Sequence, residues 1–402
     1  MTEWSADGNA VAFAFFVALQ SILVFYALLN FLFALKFRPS PALQVGPNPE
    51  PVVILVPVKD DPSIFNSLPS LLALDYPNSR ILIVDDSRDP SFVSRLSENR
   101  SERVEVFHRA VPRGRKAGAL NASLERLAAE APTFVVVLDA DHRPPRDFLA
   151  RAVALIEQTN ADCVLGHQRH DIGDDGLFGR FYRAGNTTTF RALKAQHDLG
   201  FAVFYTGAAA IFRYDWLRRM GGFDEASITE DWELALRAQV HGSPRFVIRE
   251  DLWVSAAVPT GLGALLRQEI RWMSGLIRDF RKHARPLVRS NLRTRAKVGL
   301  SAQGLLGVQA PAFLAFWLAF TFVFPLQLPL LLTFALVVLL GFLWGWPTVR
   351  ASRAEGYGPR QIAGILAYGL FVWYVLAPVA AFAFLWGLLG TPSYWSVTKR
   401  RG

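Results

Sequence analysis

The stretch Phe134-Val135-Val136-Val137-Leu138-Asp139-Ala140-Asp141 decides the fold. Five consecutive apolar residues, three of them β-branched, read as a strand buried on both faces, the pattern of a parallel sheet. The abrupt change to Asp-Ala-Asp marks the strand's carboxyl end, the edge at which open parallel sheets bind ligands. Upstream the pattern recurs: residues 51–58 lead to Asp60 and Asp61, residues 81–84 to Asp85-Asp86-Ser87, and residues 104–107 form a third run. Helical patterns at 63–73, 117–130 and 146–158 lie between and after these runs. Strands alternating with helices predict an α/β, Rossmann-like domain with a mostly parallel sheet. A single Asp after a strand is usually a turn or cap residue. Three acidic pairs on one edge point to a ligand site.

The rest of the chain has a different composition. Of 402 residues, 51% are apolar and 19% charged, with 43 Lys+Arg against 34 Asp+Glu. Residues 8–35, 298–349 and 361–398 carry no charge, and each is long enough to cross a ~30 Å hydrocarbon layer at ~1.5 Å rise per residue. Lys36 and Arg38 follow the first segment, which predicts an uncleaved anchor whose C-terminal end faces the cytoplasm. The 52 residues from 298 to 349 suit two spans with a turn at 324–329, so the expectation is four segments: 8–35, 302–324, 328–347 and 363–389, the last with a kink at Pro378. Four crossings place the C-terminus outside, whereas Lys399-Arg400-Arg401 favours inside. The predicted organisation is an anchor (1–36), an α/β domain (37–266), basic interface helices (267–297), C-terminal membrane segments (298–390) and a basic tail (391–402).

Between 36 and 297 there are 68 charged residues in 262, an ordinary soluble composition. The basic excess lies in residues 267–297, with ten Lys/Arg and two acids. Placed directly before a membrane segment, that strip reads as helices on anionic head groups rather than a nucleic-acid surface. Cys163 is the only cysteine, which excludes an intrachain disulfide. No Walker loop and no Gly-x-Gly-x-x-Gly follows the first strand. The absence of Asp, Glu, Lys and Arg from the membrane segments argues against an ion transporter. His170-Asp171 and Asp174-Asp175 sit among glycines and read as a solvated loop rather than a metal cluster.

Asp139 and Asp141 offer two hard oxygen ligands for Mg²⁺ or Mn²⁺ carrying a diphosphate. Thr229-Glu230-Asp231 opens a helix, where an acidic pair also complements the helix dipole. Gln268, Arg271 and Trp272 share one face of a later helix by the i, i+3, i+4 rule. An Arg beside a Trp can neutralise a phosphate and stack on a ring, and it can equally snorkel at an interface.

In this order, Val-Asp85-Asp86-Ser87, Lys116-Ala-Gly118-Ala-Leu-Asn121, Asp139-Ala-Asp141, Thr229-Glu230-Asp231 and Gln268-x-x-Arg271-Trp272 resemble the inverting family 2 glycosyltransferases. The similarity is to the membrane-embedded branch that includes cellulose, mannan and hyaluronan synthases and ceramide glucosyltransferase. The tail Trp395-x-Val397-Thr398-Lys399 is similar to the gating motif of cellulose synthases. The resemblance implies a GT-A domain on the cytoplasmic side of a cell membrane. It implies Asp231, with Glu230 beside it, as the catalytic pair, Asp231 being the general base. Asp139 and Asp141 are the implied metal ligands. Pro57, Asp60, Asp85, Asp86, Lys116, Asp139, Gln268, Arg271, Trp272, Thr398 and Lys399 are the implied residues around the donor. A gating tail must lie inside, in agreement with its charge, and one apolar segment then does not cross. The expected donor is GDP-mannose or UDP-glucose. The expected reaction is transfer of one hexose to a lipid acceptor by a monomer, with processive polymer synthesis the alternative and a transporter with a soluble domain a remote one.

Overall fold

A computed structural model describes residues 6–46, 50–202, 204–207, 209–242, 244–322 and 330–390. The chain enters through helix α1 (Ala6–Lys36). The domain then runs β1 (Val52–Val58), α2 (Ser63–Leu72), β2 (Ser79–Asp85), α3 (Pro90–Ser97), β3 (Val104–His108), α4 (Arg115–Arg126), β4 (Phe134–Val137) and α5 (Phe148–Gln158). It continues through β5 (Cys163–Ile172), α6 (Leu177–Asp198), β6 (Ala210–Arg213), α7 (Tyr214–Arg219), α8 (Glu230–His241) and β7 (Phe246–Ala257). The C-terminal part comprises α9 (Leu262–Arg289), α10 (Thr294–Gly304), α11 (Gln309–Phe322), α12 (Leu330–Ala354) and α13 (Pro359–Leu388).

The seven strands form one sheet in the order β3-β2-β1-β4-β6-β5-β7. Pairing is parallel except that β6 runs antiparallel to both its neighbours. Both faces are covered, which is why the strands are apolar throughout rather than alternating. Val52, Ile54 and Val56 pack under α2 and α5, through Ile64, Leu68, Phe148 and Val153. Val53 and Leu55 face the opposite layer, with Leu120 and Leu124 of α4 and Leu234 and Ala238 of α8. Truncating a fully buried residue such as Ile54 to Ala costs about 2–5 kcal/mol. This core fixes where β1, β2 and β4 end, and so where Asp61, Asp86 and Asp139 stand.

Two expectations are corrected. His170 and Asp171 belong to β5 rather than to a loop, because β5 extends alongside the twelve residues of β7. His170 is buried and its Nδ1 lies 3.0 Å from the Ala257 carbonyl. The segment expected at 302–324 is not one straight helix. It breaks between α10 and α11 with a bend of 53°, where Gly304 and Gly307 let Phe280 of α9 and Phe384 of α13 press against the backbone. Helix α13 is continuous, with Pro378, the position of the expected kink, inside it.

Among the described residues, Val17–Lys36 and Pro359–Leu388 are long and apolar enough to cross a membrane, and the bent pair adds a third if it counts as one span. The turn expected at 324–329 and the tail with Thr398 and Lys399 lie outside the described residues.

The basic strip lies on α9 and the start of α10. Helix α9 packs against α8 on one side and α13 on the other. Helix α6 ties the domain to the turn between α12 and α13: the Thr187 hydroxyl donates to Glu355 Oε1 at 2.7 Å, and Arg183 to the Tyr357 hydroxyl at 3.2 Å.

Candidate active site

Each parallel strand delivers its acidic residues to the same edge, and each carboxylate there meets a protein partner. After β1, the Asp60 carboxylate accepts from the amides of Arg88 and Asp89 at 3.1 and 3.3 Å, which shapes the turn, while Asp61 reaches the cavity wall. Asp85 is fully buried, with Oδ1 accepting from the Ser87 amide at 2.9 Å and Oδ2 lying 2.9 Å from His108 Nδ1. Its neighbour Asp86 turns to the cavity and is held in a two-pronged pair by Arg109, at 2.6 and 2.5 Å. That fork geometry fixes the carboxylate plane.

At the end of β4, Asp139 Oδ1 accepts from Lys116 Nζ at 2.6 Å. Lys116 also donates to the Gly207 carbonyl at 2.9 Å and lies 3.9 Å from Glu230 Oε1. Burial opposes its charge, but Asp139 and Glu230 outweigh that and hold the ammonium above its ordinary pKa. Asp141 Oδ2 accepts from the Ala257 amide at 2.8 Å.

Asp139, Asp141 and His142 bring ligand atoms to within 4.8 Å of one another. The Asp139 amide donates to His142 Nδ1 at 3.2 Å, which leaves the ring proton on Nε2. Burial lowers His142 to about 4, so the ring is neutral at pH 7. The two carboxylates are then the available ligands, and this oxygen donor set fits a hard divalent cation.

Opposite this edge stands the start of α8. Thr229, the residue before the helix, does not cap it; its hydroxyl donates instead to Asp279 Oδ2 of α9 at 2.7 Å, as does that of Ser227 at 2.7 Å. Next to it, Glu233 Oε1 lies 2.9 Å from His283 Nε2 and accepts from Arg237 at 3.0 Å. A buried polar network thus locks the Thr229-Glu230-Asp231 turn to α9, and Gly275 lets that helix pack directly against Thr229.

Asp231 Oδ1 accepts from the Trp232 amide at 2.9 Å. Its carboxyl is pushed up to about 7, first by burial and then by the Glu230 carboxylate, against the pull of Lys116 and Arg271. Gly207, with φ of +87°, is required opposite it: a Cβ there would lie 2.8 Å from Asp231 Oδ2.

Gln268, Arg271 and Trp272 line the cavity together, as their helical spacing requires. Gln268 Oε1 accepts from the Tyr182 hydroxyl at 3.2 Å, and Arg271 reaches the Ile228 carbonyl at 3.4 Å.

These residues surround one cavity of about 870 Å³. Its walls include Pro57, Asp61, Asp86, Lys116, Asp139, Asp141, Glu230 and Asp231 at one end. At the other they are Leu29 and Phe33 of α1, Trp344 of α12, and Trp373 and Leu376 of α13. Of the residues expected around the donor, Asp60 and Asp85 stand behind the wall. Sequence reasoning missed Arg109, Tyr182 and Asp279. Their partners lie 23, 86 and about 50 residues away, so no short-range pattern could mark them.

Comparisons with known proteins bear on the family and the fold. The model of glycosyl transferase family group 2 matches residues 134–398, well over half of the chain. Glucomannan 4-beta-mannosyltransferase 2 of Arabidopsis thaliana is 28% identical over 261 residues, covering 61% of this chain and 48% of the relative. A probable glucomannan 4-beta-mannosyltransferase 3 of Oryza sativa subsp. japonica is 28% identical over 243 residues, covering 58% and 44%. The chain therefore spans about half the length of the curated relatives it matches. Among solved structures, the mannosyltransferase PcManGT from Pyrobaculum calidifontis, in complex with GDP-Man and Mn²⁺, superposes with a TM-score of 0.63 at 22% identity, covering 94% of this chain and 99% of that one. This likeness supports the GT-A fold. By its family match the chain belongs to glycosyl transferase family group 2.

Proposed function

We propose that the protein transfers a hexose, with inversion, from a nucleotide-diphospho-sugar to a hydroxyl of a membrane lipid, at the cytoplasmic face of a cell membrane. The observation that carries this reading is the single cavity that joins the acidic sheet edge and Asp231 to apolar walls contributed by α1, α12 and α13. A donor entering from the domain side and a lipid entering from the membrane side meet at Asp231. Mannose from GDP-mannose is the favoured donor, because the relatives are named for mannosyl transfer and the structural neighbour holds GDP-Man. UDP-glucose is the alternative.

In the reaction, the acceptor oxygen bonds to the anomeric carbon while its proton passes to the Asp231 carboxylate, and the bond from that carbon to the donor diphosphate breaks. Inversion in a single displacement needs one base and no covalent intermediate. Asp139 and Asp141 are the residues to hold Mg²⁺ or Mn²⁺, which when bound neutralises the departing diphosphate without proton transfer. Lys116 and Arg271 add fixed positive charge at the same end of the cavity. Gln268 and Trp272 close its wall beside them. Helices α9 and α10 are assigned to the membrane interface, and the protein is assigned as a monomer. Processive synthesis of a polysaccharide is the second reading, favoured by the glucomannan relatives.

The test uses the full chain in lipid nanodiscs. Thermal stabilisation by GDP-mannose and not UDP-glucose, dependent on Mn²⁺ or Mg²⁺ and abolished by EDTA, is the expected result. Full transfer in chelator removes Asp139 and Asp141 as metal ligands, and a ladder of soluble saccharides in place of a labelled lipid selects the processive reading.

A further inference from the structure

The cavity changes chemical character along its length. Its cationic lining residues are Lys59, Arg88, Arg115 and Lys116, on the segments around the sheet edge, and Arg271 of α9. Toward the membrane the polar lining is neutral or acidic, and much of it lacks a hydrogen-bond donor. Gln303 Oε1 and Gln309 Oε1 are buried with no partner among the described residues, although each amide nitrogen donates, to Gln196 Oε1 at 2.8 Å and to the Leu306 carbonyl at 3.1 Å. The two side chains are 8% and 4% exposed, and both line the cavity.

Glu269 adds a third acceptor. It lies on the stripe of α9 that faces the cavity, between Leu265 and Met273 at i−4 and i+4. Its carboxyl has no hydrogen bond or ion pair among the described residues. Arg271, two positions on, lines the same cavity, and no ion pair joins it to Glu269 among the described residues. Burial alone pushes the carboxyl up to about 7.

We infer that this end of the cavity is the acceptor head-group site, and that Glu269, Gln303 and Gln309 recognise an uncharged, hydroxyl-bearing head group, a saccharide or polyol on a lipid. The inference rests on the lipid-acceptor reading and narrows it. Buried acceptors without donors are costly unless a ligand supplies O–H groups, and a hydroxylated head group supplies several. An ionised phosphate monoester supplies none. A phosphate oxygen, being already ionised, would moreover leave the base Asp231 with no proton to take.

The experiment offers three probes to the full chain with radiolabelled donor: monoglucosyl-diacylglycerol and polyprenyl monophosphate, each in phosphatidylcholine vesicles, and soluble mannotetraose. Label entering the neutral glycolipid at least tenfold faster than the polyprenyl phosphate is expected. Glu269→Ala and, independently, Gln303→Leu should each raise the glycolipid KM about tenfold while leaving the donor KM within twofold. Two variants on different helices guard against one of them failing to fold. Preferential labelling of the polyprenyl phosphate overturns this inference and leaves the lipid-acceptor reading standing. Labelling of mannotetraose alone overturns both. An unchanged glycolipid KM in both variants, with native melting temperatures, overturns the assignment of these residues.

Discussion

The carboxyl groups on the sheet edge and those on the helices opposite have contrasting surroundings. At the edge, Asp85, Asp86, Asp139 and Asp141 are each held by a cation, a ring nitrogen or an amide. On α8 and α9, Asp231 and Glu269 face the cavity with no ion pair among the described residues, and burial, joined at Asp231 by the Glu230 carboxylate, pushes both to about 7. Paired carboxylates are fixed in position and suited to binding. Desolvated ones keep an affinity for protons and suit acceptance of a hydroxyl hydrogen. For the proposed reaction, this difference suits a charged donor beside the sheet edge and a neutral nucleophile beside the helices.

The sharpest way to break this contrast is at Asp231. Asp231→Asn should lower kcat by about 10²- to 10⁴-fold, the usual contribution of a general base. Donor-induced thermal stabilisation should stay close to wild type, because the donor contacts lie on the other wall. Normal turnover in this variant would remove Asp231 from the mechanism.

The next effect is on the paired side. Lys116→Met strips Asp139 of a charged hydrogen bond, an interaction of about 1.5–3 kcal/mol, so the donor KM should rise roughly 10- to 150-fold. A change in acceptor KM with the donor KM constant would contradict the division of the cavity.

Asp279 tests the brace behind the base. Asp279→Ala removes the acceptor for the Ser227 and Thr229 hydroxyls at a cost of about 1–3 kcal/mol. A lower melting temperature and roughly tenfold lower kcat are expected, with Asp279→Asn recovering part of both. An unaltered kcat in a destabilised Asp279→Ala protein would make the network purely structural.

The smallest effect concerns pH. A base must be ionised to act, so kcat/KM should fall as pH drops through about 7, by about tenfold per pH unit below the midpoint. Since the Glu230 carboxylate helps to raise Asp231, Glu230→Gln should move that midpoint to lower pH. A shift to higher pH would reverse the assigned sign.

The strands β1 to β4 and the helices α2, α4 and α5 were legible because each is written in local pattern: a short β-branched run, a polar stop, then apolar residues at helical spacing. The acidic residues at the strand ends were legible for the same reason, since a parallel strand that ends in Asp places it on one known edge. The strands β5, β6 and β7 have no such clarity. β5 carries Gly166, His167, Gln168, Arg169 and His170 in its middle, and pairing with β6 and β7 makes it a strand. The break between α10 and α11 was hidden because an uncharged run reads alike whether straight or bent, and packing against Phe280 and Phe384 decides it.

By itself, the sequence determined the α/β class, the division of the chain into charged middle and uncharged flanks, and the order of motifs that marks the family. These are properties of periodicity and composition, which act over a few residues. The tertiary structure alone decided which carboxylates are held by cations and which, among the described residues, are raised by burial in the cavity. It decided that Asp86 rather than Asp85 faces the cavity, and that Asp279 braces the turn before Asp231 from 50 residues away. Protonation, desolvation and hydrogen bonding depend on neighbours brought together across the chain, and distance in sequence carries no record of them.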